Sequence, residues 1–350
     1  MKTIIKQVVG IDVAHKELVV SLGKMHDDWS PEVYANKKFA NTQKGFMTLV
    51  AWVRKLSYPG CPVRFVMEAT GVYHESLAYF LDEKGYELTI VLPNKISNYF
   101  RTLEVKTITD KTSADAIAMF GLEKKLESWK RPKKIYRDLR QLTRERDQIV
   151  QERTMVKNQL HAEQAEANPN PSSIQRISKR IAFLNNQEKE IRQEIAALAK
   201  TDQQVSSAVE ITSSLPGVGC LTAVIVLAET NGFELIRNKR QLSSYAGYDI
   251  REKQSGTSVK GKPRISKRGN KYLRKAMHLP ALAAIRHDER FKAIFVRLVS
   301  SHGIKMKAAV AVQRKLLELM YIVYKTNVPY DKSYLENQQP AGPQCKAKKN

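Results

Sequence analysis

Residues 8–23 read VVGIDVAHKELVVSLG. Two β-rich runs flank a short polar turn, the pattern of an antiparallel hairpin. One acid, Asp12, stands in the middle of the first apolar run. A charge there is costly unless it is paired or holds a cation. Downstream, a weak third strand is expected to include Lys38 to Ala40. Residues 43–58 then put Phe46, Leu49, Val50 and Val53 on one helical face. PVRFVMEA (62–69) reads as a buried strand that closes on a second acid, Glu68. A helix is expected near 73–84, and YELTIVLP (86–93) gives another strand whose Pro93 marks the exit into helical pieces.

The resulting order is strand, strand, strand, helix, strand, helix, strand, helix. It predicts an α/β domain over 1–130 of the RNase H-like (RuvC-like) type, although other α/β folds share that order. Each acid alone reads equally as a strand-end or turn residue. Two acids on central strands brought side by side form a cradle for Mg2+, because hard cations take several carboxylate and water oxygens. Two more acids, Asp110 and Asp115, lie in EVKTITDKTSADAIAMFGL (104–122) at the start of an expected helix. Five residues at 100° per residue separate them by about 140° on a continuous helix. Asp110 is therefore expected in the preceding loop or at the N-cap, with Asp115 in the first turns; a plain capping role for Asp110 stays open.

From about 133 the pattern changes. Ile135, Leu139, Leu142, Ile149, Val156 and Leu160 recur at heptad-type spacings. After NPNPSS (168–173) the seam resumes with Ile174, Ile177, Ile181, Leu184, Ile191, Ile195 and Leu198, interrupted by Glu188. This predicts an antiparallel coiled-coil arm over 131–205, either packed within the chain or used for dimerisation. A mainly α-helical domain is expected over 206–330, with helices over 269–287 and 305–325. The polar, Pro/Gly-bearing tail, 331–350, is expected to be disordered.

The charge balance is strongly positive: 59 Lys and Arg against 35 Asp and Glu, a net +24. Between Arg237 and Lys315 there are 21 basic and 4 acidic residues. An excess concentrated this way points to a nucleic-acid backbone. Cys61, Cys220 and Cys345 are too dispersed for a zinc knuckle or a disulfide framework. The apolar runs are too short for a signal peptide or a membrane span, so a cytoplasmic, nucleoid-associated protein is expected.

Two stretches in the basic region carry chemistry. LPGVGCLTA (215–223) has the Pro-Gly-x-Gly turn of a helix-hairpin-helix, in which Gly217 and Gly219 would let the backbone approach a phosphate. SSYAGYDIREKQSGTSVKGKPRISKRGNKYLRKAM (243–277) sets Ser255-Gly256 in a flexible loop among Lys253, Lys260, Lys262, Arg264, Lys267 and Arg268, followed by Lys271 and Arg274. A serine hydroxyl needs a metal or base to take its proton and cations to stabilise the charge that develops at phosphorus. Spacing alone does not choose Ser255 over Thr257, Ser258 or Ser266.

In this order the strings GIDVAHKEL, VMEATGVYHE, TDKTSADAIA, LPGVGCLTA and QSGTSVKGKPRISKRGNKYLRKA resemble one family: the DEDD-type transposases of the insertion sequences IS110, IS116 and IS902. The resemblance covers nearly the whole chain apart from the tail. It implies a RuvC-like domain binding magnesium through Asp12, Glu68, Asp110 and Asp115. It also implies a C-terminal transposase domain whose Ser255 forms a covalent link to DNA. Partners implied are donor and target DNA, a structured bridge RNA that guides both, and further copies of the chain in a dimer or tetramer. One departure is visible. The family places its third and fourth acids three apart, but three residues before Asp115 stands Thr112, and the nearest upstream acid is Asp110.

The expected function is thus Mg2+-dependent DNA cleavage and strand exchange through a serine nucleophile. Roughly 140 residues separate Asp115 from Ser255, so the half-sites would have to meet by domain packing, within or between chains. Two other readings stay open. One is a junction-resolving endonuclease that uses the acids and water alone. The other is a nucleic-acid-binding module without catalysis.

Overall fold

The computed structural model describes residues 3–103, 107, 109–252, 254, 255, 259–261 and 264–331. The chain divides into two compact units, Met1–Arg131 and Pro132–Asn350.

The first unit is built on a five-stranded sheet. Strands β1 (Ile4–Val13), β2 (Glu17–His26) and β3 (Pro31–Ala40) form an antiparallel meander. After α1 (Gln43–Leu56) come β4 (Val63–Glu68), α2 (Glu75–Glu83), β5 (Glu87–Val91), α3 (Pro93–Phe100) and α4 (Asp110–Glu123). The strand order is β3-β2-β1-β4-β5, with β4 parallel to β1 and β5 parallel to β4. This is the RNase H-like arrangement that the element order predicted.

Side chains alternate across the pleat. Val9, Ile11, Phe65 and Met67 face one core with Phe46 and Leu49 of α1 and Leu77 and Leu81 of α2. Val8 and Val66 face the other, with Ile96 of α3 and Ile117 of α4.

The third strand includes Lys38 to Ala40 as expected and extends back to Pro31. It is the sheet edge, and its exposed Asn36, Lys37 and Lys38 hide the alternation while guarding the edge against further pairing. One strand expectation needs correction: Asp12 is not mid-strand but the penultimate residue of β1, at the strand's C-terminal end.

The second unit opens with α5 (Lys134–Gln164) and α6 (Pro171–Lys200), the long paired helices. Asn170 caps α6, its side-chain oxygen accepting from the Ser172 and Ser173 amides. Leu139, Ile149 and Val156 of α5 and Leu184, Ile191 and Ile195 of α6 are buried. Glu188 is also buried, held by Arg146 (2.6 Å) and by Arg153. The core of this pair is continuous with that of α7 (Gln203–Ser213), α8 (Cys220–Thr230) and α9 (Lys239–Ala246).

Four two-residue strands follow: β6 (Ile250–Arg251), β7 (Gln254–Ser255), β8 (Val259–Lys260) and β9 (Arg264–Ile265). Helices α10 (Lys271–Ala276), α11 (His278–His287), α12 (Glu289–His302) and α13 (Lys305–Thr326) complete the unit. The single helix expected over 269–287 is two helices, divided at Met277. Pro280 accounts for the break, since it has no N–H to give and its ring crowds the carbonyl four residues back. No helix among the described residues is long and apolar enough to cross a membrane. The tail expected to be disordered lies, from 332 onward, outside the described residues.

Candidate active site

The parallel register pairs Gly10 with Val66 and Ile11 with Met67. Its continuation sets Asp12 beside Glu68 at the C-terminal ends of the two central strands, on the same face. Both side chains are half-buried. Burial, and then the negative charge of Asp110, push the Asp12 carboxyl above its usual pKa; a hydrogen bond with the Val13 backbone works against this. Burial, and then the charge of Asp12, push Glu68 up in the same way. The fold therefore sets Asp12 within repelling reach of Glu68 on one side and of Asp110 on the other. An all-oxygen donor set in this electrostatic condition fits a hard divalent cation. Among the described residues, no group of three or more His, Cys, Asp or Glu side chains stands close enough to hold a metal ion as arranged.

Helix α4 brings in the other two acids. It lies directly on β1 because Gly10 has no side chain: a β-carbon there would fall 2.3 Å from the Ala118 nitrogen and 2.5 Å from the Ala114 oxygen. The N-cap is Thr109, not Asp110. The Thr109 hydroxyl accepts from the Thr112 amide, and the Thr112 hydroxyl accepts from the Thr109 amide, a complete capping box. Asp110 is the first helical residue, so both acids lie inside the helix and diverge around it. Asp115 accepts a 2.6 Å hydrogen bond from Ser21 on β2, and Asn36 of β3 donates to that Ser21 hydroxyl (2.8 Å). Ser21 was not singled out in the sequence; its signal is that it alone is polar in the buried run LVVSLG. Thr112, standing where the family pattern has an acid, is occupied in the cap.

Ser255 belongs to a two-tier hairpin. β6 pairs with β9 at the base, and β7 pairs with β8 above it, with Ser255 opposite Val259. The stretch expected as a flexible loop thus has local β-pairing.

The base is tightly built. Ser266 donates its hydroxyl to Asp249 (2.7 Å), a bond across the hairpin base. Gly269 packs against the Tyr245 carbonyl and the Gly247 nitrogen with no room for a β-carbon. Arg274 donates to the carbonyls of Ala246 (2.7 Å) and Gly269 (3.2 Å), so it clamps the hairpin base. Arg264, Lys267, Arg268 and Lys271 are exposed. Lys253, Lys262, Gly256, Thr257 and Ser258 lie outside the described residues. Lys260 is in β8.

Asn270 caps α10, accepting from the Tyr272 and Leu273 amides, and donates to Glu229 (2.6 Å). Glu229 is almost wholly buried and also receives both guanidinium arms of Arg144 (2.7 and 2.8 Å). This joint ties α5, α8 and the end of the serine hairpin together.

In the Pro-Gly-x-Gly turn, Gly217 has φ +79°, and a β-carbon there would meet the Pro280 carbonyl at 2.4 Å. Gly219 caps α8 with open space around it and without a side-chain cap. Gly217 thus lets α11 approach, while Gly219 leaves the first amides of α8 accessible.

Residues 9–169, which contain all four acids, match the family model for the DEDD transposase of IS110, described as Transposase. Residues 209–295, which contain Ser255, match the model described as Transposase IS116/IS110/IS902 family. The pilin gene-inverting protein of Moraxella bovis is 28% identical over 333 residues, covering 93% of this chain and 98% of that protein. The transposase for insertion sequence element IS1111A of Coxiella burnetii is 23% identical over 360 residues, covering 93% and 91%. Among solved structures, Thermus thermophilus RuvC in complex with a Holliday junction substrate aligns at 8% identity with a TM-score of 0.28, covering 35% of this chain and 99% of that one.

Proposed function

The chain belongs to the IS116/IS110/IS902 family of DEDD transposases, and from that membership we propose a serine-mediated, metal-assisted exchange of DNA strands. As a member it is an enzyme of DNA transposition that performs phosphoryl transfer. The finer assignments are our reading.

Asp12, Glu68 and Asp110 would hold Mg2+, with Asp115 supporting from its Ser21 contact. When bound there, Mg2+ would neutralise charge at the scissile phosphate. The observation that carries this is the Asp12–Glu68 pair, whose enforced repulsion a divalent cation relieves.

Ser255 is the nucleophile. Its hydroxyl oxygen bonds to phosphorus, its proton is given up, and the phosphorus–sugar oxygen bond breaks to release a hydroxyl that takes a proton. The choice of Ser255 within the basic hairpin comes from the family resemblance. Arg264, Lys267, Arg268 and Lys271 hold the DNA backbone, with Lys253, Lys260 and Lys262 assigned to it by the sequence pattern. A structured bridge RNA guiding donor and target DNA, and action as a dimer or tetramer, come into this proposal from the family resemblance. The pilin gene-inverting relatives support recombination as the outcome.

The test pairs two variants. Asp12→Asn should abolish Mg2+-dependent cleavage while leaving DNA binding intact. Ser255→Ala should abolish strand exchange with binding unchanged. Cleavage that survives Ser255→Ala without a protein–DNA adduct would favour a water-using endonuclease.

A further inference from the structure

A cleft of about 710 Å³ opens in the second unit between α5 and the helices α8, α10 and α11. Arg144, Arg146, Arg274 and Lys275 line it, against Asp147 and Glu229. Both carboxylates are already engaged, Asp147 by Lys275 and Gln151, Glu229 by Arg144 and Asn270. The Arg144 guanidinium lies 4.5 Å over the Tyr272 ring, which fixes that wall.

His278 also lines the cleft, and its ring is held from behind. The Tyr248 hydroxyl donates to Gln313 Oε1 (3.0 Å), and Gln313 Nε2 lies 3.0 Å from His278 Nδ1. Tyr248 is 1% exposed and Gln313 4%. A buried hydroxyl and a buried amide are costly unless satisfied, and here they satisfy each other and the imidazole. Burial pushes the Tyr248 hydroxyl well above its usual pKa, so it remains a donor. With Oε1 accepting from Tyr248, the amide group that meets Nδ1 is an N–H donor. Nδ1 is therefore the acceptor, and the ring proton sits on Nε2, on the far edge of the ring from Gln313.

We infer that this cleft seats the phosphate backbone of DNA, with His278 donating from Nε2 to a phosphate oxygen and Tyr248 and Gln313 as positioning residues behind it. The inference rests on the reading of the second unit as DNA-binding. It adds a seat that opens beside the long helix α5 and reaches Arg274 at the base of the serine hairpin. Arg144, Arg146 and Lys275 each answer one carboxylate, of Glu229, Glu188 and Asp147, and Arg274 is held by main-chain carbonyls, so the lining keeps a positive balance that favours an anion. A neutral, pre-aimed imidazole complements phosphate without adding another buried charge.

The experiment uses the full-length protein and a fluorescein-labelled random-sequence DNA duplex. His278→Ala should weaken binding about tenfold, as for one hydrogen bond to a charged group. The salt slope should stay unchanged, because a neutral donor releases no counterion. Gln313→Leu, which does not reach the cleft, should weaken binding by a smaller factor. Nitrogen-15 NMR should show the Nε2–H tautomer in the wild type and a mixture in Gln313→Leu. Wild-type affinity in His278→Ala, or an Nδ1–H tautomer in the unaltered protein, would overturn the inference. So would a defect confined to an RNA duplex probe. Lys267→Ala and Arg268→Ala separate the two levels. If they weaken DNA binding while His278→Ala does not, only the cleft assignment falls. If none of the three does, the DNA-binding reading of the unit falls with it.

Discussion

Gly10 and Ala118 touch backbone to backbone: a β-carbon on Gly10 would stand 2.3 Å from the Ala118 nitrogen. That contact seats α4 on β1 and brings the charge of Asp110 to bear on Asp12. Gly10→Ala should therefore cost about 1–3 kcal/mol or more, as overpacking against backbone that cannot give. It should also lower cleavage far more than DNA binding. Urea unfolding alongside a cleavage assay checks both; unchanged stability would mean that α4 is free to shift.

The repulsion at the acid pair gives a pH signature. Asp12 and Glu68 are both raised, so over this range the native state holds protons that the unfolded chain has released. Stability must then fall as pH rises from the ordinary Asp value of 3.8 through the raised values. In metal-free buffer at neutral pH, Asp12→Asn should melt a few degrees above the wild type, and the difference should vanish in acid below 3.8. Added Mg2+ should raise the wild type only. Calorimetry across pH with and without Mg2+ measures this.

Glu188 should behave oppositely. Burial alone would raise its carboxyl, but Arg146 and then Arg153 outweigh burial and hold it below the ordinary value of 4.5. Its contribution is complete above 4.5 and is lost as pH falls through the lowered value. Replacing it with Ala strands two arginines against an apolar seam and should cost about 3–5 kcal/mol, the usual loss on breaking a buried pair. A denaturant melt of Glu188→Ala that matches the wild type would show the triad to be dispensable.

The reach of the sequence follows from what each signal depends on. Val9, Ile11, Phe65 and Met67 alternate with the pleat, so the central strands were legible. The heptads of α5 and α6 were legible for the same reason, and their Pro/Asn turn marked the join. β3 was only half visible because an edge strand faces solvent with Asn36, Lys37 and Lys38. The angular separation of two acids on one helix points to Asp110 in the preceding loop or at the cap. Thr109 and Thr112 instead cap each other, and Asp115 turns to Ser21, a partner supplied by a strand 94 residues earlier. Glu229, Gln313 and Tyr248 carried no local signal, since their partners come from elements far away in the chain.

The capping box makes a modest prediction of its own. Thr109→Ala leaves the Thr112 amide without its acceptor at the turn that begins with Asp110, and should cost about 1 kcal/mol. Because that turn carries Asp110, the same variant should need more Mg2+ for half-maximal cleavage. A shifted Mg2+ titration is the readout; a stability loss with an unshifted titration would remove Asp110 from the metal-holding set.

Denaturing electrophoresis of the protein incubated with end-labelled element DNA and Mg2+ reads the serine–DNA bond itself. A labelled protein–DNA adduct should form with the wild type and disappear in Ser255→Ala and in Asp12→Asn. An adduct of undiminished yield in Ser255→Ala, or complete strand exchange by that variant, would contradict the assignment of Ser255 as nucleophile.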